Sequence, residues 1–431
     1  MRTTRLVLAG LIVLPLALVA GTNPVVGGGG PAYSTGETVA DPAPGRTAVT
    51  GTEFVVIDER GAVGYHETRR DEYWDVDPIR GTSSSVVVST VTHDPSGVGC
   101  SACVVQRIER LNVSTGSRST LYREVTPGRR DVEWHDVDRL NRTHYVIADI
   151  AQNEVRIVDV STGITVWAWS AYTDLQPSSG GAFGDDWTHL NDVEIVRDGQ
   201  YVTASLRNQD TVVFINRTSG RVNRTLSLGR DDAHSTLDEQ HNPDYIPEAN
   251  GGPALVVADS NNDRVVEYRF EDGQWTESWV WQDTRLQWPR DADRLPNGHT
   301  LVTDTNGNRV VEVDERGGVH WSVSTPIEAY EAERLSTPDE SGNGTAADDA
   351  GLVSRTAEPE TLAERARAAA SATFGPRVVN GIVLVTPGWM RLPEFAAAVL
   401  SLVSSLSLAG YELSVRGITP STIRARLRER R

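Results

Sequence analysis

Three histidines, an asparagine and two arginines are the side chains of this chain best suited to hold and transfer a compact oxyanion. His189 precedes Asn191 by two residues, and Arg207 follows Asn191 sixteen residues later. A neutral imidazole is a competent nucleophile at neutral pH, and Arg and Asn donors stabilise charge on a transferred group. The remaining candidates belong to one set of equivalent repeat positions, called here the column: Trp74, His135, Asn191, His241, Arg290 and Tyr330.

A position in the column does not by itself establish a role. A lone His at the start of a strand is more often a hydrogen-bonded structural residue, and Arg290 and Tyr330 occupy the column without being catalytic types. Convergence of several such groups at one place is what favours a site. Among the histidines outside the column, five are expected to be structural: His93, His144, His234, His299 and His320.

A repeat positions the column. "ADSNNDRVVEY" at 258–268 and "TDTNGNRVVEV" at 303–313 agree at six of eleven positions, at an offset of 45 residues. Each unit reads as four short antiparallel strands joined by Gly-rich and Asn-rich turns, and column residues are 40 to 61 residues apart. This spacing is typical of propeller blades. The turn "DSNND" resembles the start of a calcium loop, but Arg264 and Phe270 replace its Gly and Glu, so we expect a plain turn.

Six units are present, and the sixth is incomplete. The last lacks its outer strands, whereas "GTEFVVIDERGAVGYHE" at 51–67 is a strand pair without inner strands, so joining them closes a ring. The prediction is an all-β, six-bladed β-propeller whose inner strands all begin at one mouth of the central channel. Counting back from the turn at Asp198-Gly199 places Arg207 opposite Leu190, so that His189, Asn191 and Arg207 share a rim.

Composition restricts the possible partners. The net charge is −18, and all 41 basic residues are Arg, a balance typical of halophiles. The negative field repels phosphate backbones, so nucleic acid is not an expected partner. Cys100 and Cys103 are the only cysteines, and a small loop disulfide is the main interpretation, with a plain thiol pair as the alternative.

Both ends of the chain read as membrane-directed. Leu6 to Ala20 is an apolar run after a basic start, and Phe395 to Tyr411 is seventeen residues without a charge. The tail from Ser414 carries six Arg and one Glu, which predicts a cytoplasmic tail and an outward-facing acidic bulk. Five possible glycosylation sites agree with that topology: Asn112, Asn141, Asn216, Asn223 and Asn343.

The expected organisation therefore has six parts. Residues 1–21 are a signal peptide or an N-terminal anchor, and 22–50 are a linker. Residues 51–336 form the propeller, and 337–376 are an acidic linker with one short helix. An interfacial segment and a transmembrane helix at 377–413 lead to the basic tail, 414–431.

"DWTHLNDVEIVRDGQYVTASLRNQDTVVFI", with "QHNPDYIP" one unit later, resembles the arylsulfotransferase family. The resemblance covers about residues 50 to 335. It implies transfer of a sulfuryl group from an aryl sulfate to a phenolic acceptor through a sulfohistidine, without a cofactor or metal. By the same resemblance His241 is the nucleophile, His189, Asn191 and Arg207 hold sulfuryl oxygens, and His135 is a further active-site residue. The alternative is a non-catalytic propeller that binds a partner protein or a surface glycan. Oligomeric state does not follow from these residues.

Overall fold

Six antiparallel sheets account for the described part of the chain between residues 45 and 334, and they follow one another as the blades of a propeller. The structure is a computed structural model. It describes residues 34–35, residues 45–385 apart from 96, 101, 129–130, 326, 338–343 and 360, and residues 405, 407 and 408. Contacts divide the chain into one unit of residues 32–360 and a second of residues 1–31 and 361–431.

Four short strands come first in the chain: β1 (Ser34–Thr35), β2 (Thr47–Val49), β3 (Phe54–Ile57) and β4 (Val63–Glu67). Blade 1 follows, and its strands are β5 (Glu72–Pro78), β6 (Ser85–His93), β7 (Cys103–Asn112) and β8 (Ser117–Pro127). Blade 2 contains β9 (His144–Asp149), β10 (Glu154–Asp159) and β11 (Ile164–Ser170). Its inner segment, residues 134–139, is held on β9 by bridges from Trp134 to Asp149 and from Arg139 to Tyr145.

Blades 3 and 4 follow the same plan. Blade 3 consists of β12 (Leu190–Val196), β13 (Tyr201–Leu206), β14 (Thr211–Asn216), β15 (Arg221–Val222) and β16 (Leu228–Gly229). Blade 4 consists of β17 (His241–Ile246), β18 (Ala254–Asp259), β19 (Arg264–Glu271) and β20 (Gln274–Gln282). Single 3-10 turns lie at Ala171–Thr173, Arg207–Gln209, Glu248–Asn250 and Ser260–Asn262.

Blade 5 consists of β21 (Pro289–Arg294), β22 (Thr300–Asp304), β23 (Arg309–Val313) and β24 (Val319–Ser324), with β1 added at its edge. Blade 6 then closes the ring as predicted, because β25 (Ala332–Arg334) pairs with β2, and β3 and β4 complete that sheet. The closing sheet therefore takes in Thr47–Val49, which lies within the stretch expected to be linker. The six-bladed all-β prediction is confirmed.

The hydrophobic core lies between the blades. Each of the six buried clusters found among the described residues joins two neighbouring sheets, as where Val146 and Val155 of blade 2 meet Leu190 and Val202 of blade 3. Middle strands are covered on both faces, so they are rich in β-branched residues that suit a buried pleated sheet. Because apolar side chains fill the interfaces, the central channel is left to the polar residues of the inner strands.

Two local predictions are confirmed. The repeated Asn-rich segment forms a turn, in which Asp263 has a left-handed backbone (φ 50°) and Asp259 accepts a hydrogen bond from Nε of Arg264 at 2.7 Å. Cys100 and Cys103 form a disulfide in the turn between β6 and β7.

Part of the acidic stretch after the propeller packs on blade 4. α1 (Ala347–Ala350) places Ala346 and Ala347 in a core cluster, and β26 (Arg355–Thr356) pairs with β20. The indole of Trp279 donates to the carbonyl of Val353 at 3.2 Å. The composition predicted a linker here, but its small apolar residues fit a groove that charge patterning does not reveal.

The second unit contains α2 (Leu362–Phe374) and α3 (Pro376–Val385). Thr361 caps α2 in a reciprocal box with Glu364, which agrees with the short helix expected in this region. No helix of the described residues is long and apolar enough to cross a bilayer. The predicted leader at 1–21 lies outside the described residues, and so does the predicted span at 395–411 apart from residues 405, 407 and 408. The two membrane segments stay predictions.

Candidate active site at the channel mouth

β-bulges direct the column residues toward the mouth of the channel. In blade 1 the pairing register shifts between Tyr73 and Asp75, and in blade 5 between Pro289 and Asp291, so Trp74 and Arg290 are the residues left over. Blade 3 has the same shift at Asn191, and blade 4 has a longer one between His241 and Asp244. A bulge bends its strand and re-aims one side chain, which explains why the column side chains converge.

Aromatic contacts join the column across the mouth. The His135 ring stacks on Trp74 at a centroid distance of 4.1 Å and meets His189 edge-on at 5.1 Å. Tyr330 lies 5.3 Å from His135 and 6.2 Å from His241. The guanidinium of Arg290 lies 5.2 Å from the Tyr330 ring centroid. The predicted ring of column residues is therefore present at one end of the channel.

His241 has a fixed tautomer. Its Nδ1 lies 3.0 Å from the carbonyl oxygen of Glu239 and 2.8 Å from Oγ of Ser260. The carbonyl can only accept, and the Ser260 hydroxyl donates to the carbonyl of Pro289 at 2.7 Å, so Nδ1 carries the proton. The Nε2 of neutral His241 therefore has a free lone pair, as a nucleophile requires.

His135 is oriented in a similar way. Its Nδ1 lies 3.1 Å from the Tyr330 hydroxyl, which in turn donates to the carbonyl of Asn191 at 3.3 Å. Because that carbonyl only accepts, the hydroxyl accepts the proton of His135 Nδ1. The Nε2 of neutral His135 is then also an acceptor.

Asp186 links two of the predicted site residues. One of its carboxylate oxygens lies 2.8 Å from Nδ1 of His189, and the other lies 3.3 Å from Nη2 of Arg207. Burial raises the pKa of Asp186, but the hydrogen bond from His189 and the charge of Arg207 outweigh it, so the pKa lies below its usual value. Asp186 is therefore ionised and holds both side chains in place.

The predicted pairing of Arg207 was wrong by one residue. Leu190 pairs with Leu206, because the bulge at Asn191 takes up one residue, and Arg207 instead begins the 3-10 turn that follows β13. Its Nε donates to the side chain of Asn208 at 3.0 Å. Arg207 nevertheless reaches the same rim as His189, through Asp186.

Asn191 and Arg290 complete the mouth. Asn191 is fully buried, and its Nδ2 donates to the carbonyl of Gln240 at 3.0 Å. Arg290 pairs with Glu328 at 3.1 Å, while its Nε has no partner among the described residues. Part of the Arg290 guanidinium is thus left to bind a ligand.

Burial and positive charge keep the three histidines neutral. Burial lowers the pKa of His241 well below 6.5, and Arg290 and Arg207 lower it further. The pKa of His135 is likewise lowered well below 6.5, by burial and by His189. Burial and Arg207 lower the pKa of His189 to about 4, although the hydrogen bond to Asp186 opposes this shift. All three rings are nearly buried, with exposed fractions of 1% for His241, 5% for His135 and 6% for His189.

Sequence reasoning missed Asp186 and Ser260. Asp186 lies in the loop before β12, outside the column, although its position three residues before His189 was a usable signal. Ser260 belongs to the repeated turn, where it read as a turn former. The roles of His241, His189, Asn191, Arg207 and His135 stay predictions, which the geometry makes specific.

Three solved structures show low similarity to this chain. A protein of unknown function from Bacteroides caccae is 12% identical, with a TM-score of 0.45 over 67% of this chain and 98% of that one. A putative 6-phosphogluconolactonase from Bacteroides fragilis is 11% identical, with a TM-score of 0.43 over 68% and 99% of the two chains. The periplasmic gluconolactonase of Pseudomonas aeruginosa is 13% identical, with a TM-score of 0.43 over 67% and 98%. These similarities carry no argument about activity.

A search of curated proteins found no match to the chain. The model of the arylsulfotransferase (ASST) family matches residues 149–325, a range that runs from the end of β9 to the end of blade 5. The matched range contains His189, Asn191, Arg207 and His241, whereas His135 precedes it. The match and the six-bladed propeller together support the arylsulfotransferase family, and an arylsulfotransferase-like function, for this chain.

Proposed function

We propose that this chain is a membrane-anchored, extracytoplasmic arylsulfotransferase that moves a sulfuryl group from an aryl sulfate to a phenol through a sulfated His241. The observation that carries the proposal is the fixed tautomer of His241. Two acceptors hold its Nδ1 proton, so a bare Nε2 stands in a mouth that also contains two further neutral imidazoles and two guanidiniums.

The first half-reaction sulfates the enzyme. Nε2 of His241 attacks sulfur, the bond from sulfur to the aryl oxygen breaks, and the phenolate leaves. Carbonyl and hydroxyl acceptors at Nδ1 stabilise the positive charge that develops on the imidazole ring. Arg207, Arg290 and the amide of Asn191 are the proposed donors to the sulfuryl oxygens.

The second half-reaction needs a base, and His189 is suited to it. Its Nδ1 proton is committed to Asp186, so neutral His189 presents Nε2 as an acceptor rather than a donor. The acceptor phenol gives its proton to Nε2 of His189, its oxygen bonds to sulfur, and the bond from sulfur to His241 breaks. The proton on His189 then goes to the next leaving phenolate. We therefore assign His189 an acid–base role, and once Nε2 has taken the phenol proton it can donate to a sulfuryl oxygen.

The proposed location rests on the apolar runs at both ends and on the Arg-rich tail, which by the positive-inside rule stays in the cytoplasm. The five possible glycosylation sites between the two runs agree with an outward-facing propeller.

The deciding experiment mixes the full chain with excess chromogenic aryl sulfate, without an acceptor and in high salt. We expect a burst of one phenol per site and an intact mass increased by one sulfuryl group at neutral pH. His241→Ala should abolish both, whereas His144→Ala, at the first residue of β9 and outside the column, should keep both. A folded His241→Ala protein that still gives the burst, or a wild-type chain without a sulfuryl adduct, would rule out the covalent mechanism.

A further inference from the structure

Below the mouth, the inner strands line the channel with acidic residues in a six-fold pattern. The residue after each column position is acidic in five blades and an amide in blade 4: Asp75, Asp136, Asp192, Asn242, Asp291 and Glu331. A second acidic residue follows two positions later in every blade: Asp77, Asp138, Glu194, Asp244, Asp293 and Glu333. Nine of these twelve side chains line one cavity in the channel, and Asn242 is among them.

Five of these side chains have an evident structural task, because they connect neighbouring inner strands. Asp136 of blade 2 accepts from the backbone N–H of Val193 in blade 3 at 2.6 Å. Asp291 of blade 5 accepts in the same way from the backbone N–H of Ala332 in blade 6, at 3.0 Å. Glu331 of blade 6 does so across the closure, from Val76 at 3.1 Å. In these three bonds the donor N–H belongs to the residue that directly follows the first of the two acidic positions in its own blade.

At the seam between blades 3 and 4 this bond cannot form. The residue that should donate to Asp192 is Pro243, which has no N–H. One carboxylate oxygen of Asp192 and the side-chain oxygen of Asn242 are buried and have no hydrogen-bond partner among the described residues. Asp192 is 5% exposed and Asn242 is 7% exposed. The backbone of Asn242 is left-handed (φ 33°), a conformation that non-glycine residues rarely adopt.

Two buried oxygens without a donor are stabilised either by a proton held on Asp192, whose pKa is raised well above its usual value by burial, or by a bound cation. Burying a polar group without a hydrogen bond is costly, and burying a carboxylate without a counter-charge is more so. The part of the chain that the structure describes shows no Arg or His within ion-pairing distance of Asp192. Carboxylate and amide oxygens are hard ligands, which Ca²⁺ and Mg²⁺ prefer over transition metals.

We propose that the channel binds a hard divalent cation at the seam of blades 3 and 4, with Asp192 and Asn242 as its protein ligands. Asp244 and Asp291 line the same cavity and add to the negative field. Among the described residues, no three carboxyls of the channel have oxygens within 4.8 Å of one another, so water completes the coordination shell. The site does not depend on the proposed sulfuryl transfer.

The test measures binding of the metal alone to the full chain. The protein is treated with chelator and titrated with CaCl₂, and separately with MgCl₂, by calorimetry in a constant high concentration of KCl. We expect about one divalent ion per chain and a rise in melting temperature on binding. Asp192→Asn should weaken binding by at least about tenfold, because it removes the charge and keeps the shape.

Two further variants make the result specific. Pro243→Ala supplies the missing backbone N–H and should also weaken binding, because Asp192 then has the donor that Asp136 has. Asp138→Asn removes a charge from the same channel at a residue that already accepts from Ile195 N–H at 2.7 Å, and it should leave binding unchanged. The proposal is overturned if wild type takes up neither Ca²⁺ nor Mg²⁺, if only monovalent ions bind, or if Asp138→Asn weakens binding as much as both seam variants. Should Asp192→Asn fail to fold, the contrast between Pro243→Ala and Asp138→Asn decides alone.

Discussion

Asp186 accepts a hydrogen bond from Nδ1 of His189 at 2.8 Å. The bond sets the tautomer of a ring that is neutral at physiological pH, and it directs the acceptor nitrogen away from the carboxylate. Asp186→Asn loses the charge and lets an amide N–H face Nδ1. We expect transfer from the sulfated enzyme to a phenol to slow by about 10²-fold, the low end of the range for general acid–base catalysis.

The measurement is single-turnover transfer to a phenol after loading with aryl sulfate. Asp185→Asn is the matched control, since Asp185 is the exposed neighbour in the same loop. Equal transfer rates in the two variants would remove His189 from the acid–base role.

Ser260→Ala tests the second acceptor at Nδ1 of His241. The Glu239 carbonyl remains, so the tautomer should be kept, but one hydrogen bond to the developing imidazolium is lost. We expect the burst to slow by about 3- to 10-fold, the scale of one neutral hydrogen bond. Stopped-flow release of phenol measures it, with Ser260→Thr expected to recover part of the rate. An unchanged burst in Ser260→Ala would show that the hydroxyl has no part in activating His241.

Arg207→Lys keeps a positive charge at the rim and loses the planar fork that can meet two sulfuryl oxygens. Turnover should fall by about 10²-fold, as for removal of one oxyanion donor. Steady-state kinetics provides the number, and Arg221→Lys, at an exposed position of blade 3, is the control. Activity equal to wild type in a folded Arg207→Lys protein would place this side chain outside the site.

The rate of the first half-reaction should show no inflection near pH 6.5, where an ordinary histidine titrates. A nucleophilic imidazole works when neutral, and burial with nearby Arg charge lowers the pKa of His241 well below 6.5 and that of His189 to about 4. The burst rate should therefore stay constant from about pH 8 down to about pH 5.5 and fall only in more acidic solution. An inflection close to pH 6.5 would contradict the buried, neutral histidines.

Stability should depend on pH in the sense opposite to ordinary acid denaturation. Burial raises the pKa of Asp138 to about 6 in the folded protein, above its usual 3.8. A raised carboxyl pKa means that folding retains a proton, so this stabilisation is complete below the unfolded value and is lost as pH rises through about 6. The denaturant concentration at the unfolding midpoint of wild type should decrease as the pH rises from about 4 to about 6, and Asp138→Asn should show a smaller decrease. Identical slopes for the two proteins would show that Asp138 is ionised when buried.

The repeat in the sequence was enough to predict most of the fold and many of the residues at the channel mouth. Identity between the turns at 258–268 and 303–313 located the blades, and the spacing of His135, Asn191 and His241 located the mouth. Closure of the ring was predicted because the sixth unit lacks outer strands and the strand pair at 51–67 lacks inner ones. The blades, the mouth and the ring closure could all be predicted because local patterns are visible in a single sequence.

Three features could not be predicted from the sequence, because they depend on contacts between separate elements. The bulge at Asn191 shifts Arg207 by one residue, because a bulge leaves the strand pattern intact while changing its register. Asp186 lies in a loop whose path depends on where blades 2 and 3 meet. The segment from Ala346 to Thr356 reads as linker, and only the groove on blade 4 gives it a structure.

Closure of the ring by β2 and β25 also sets the order of assembly. Val49 pairs with Ala332, near opposite ends of the propeller sequence, so blade 6 cannot form until nearly the whole propeller has left the ribosome. Contacts of such long sequence separation form slowly, although the entropy lost in closing the loop grows only with the logarithm of its length. Tyr330, which touches both His135 and His241, precedes the closing strand. The residues around the channel mouth are therefore brought together only when β25 closes blade 6.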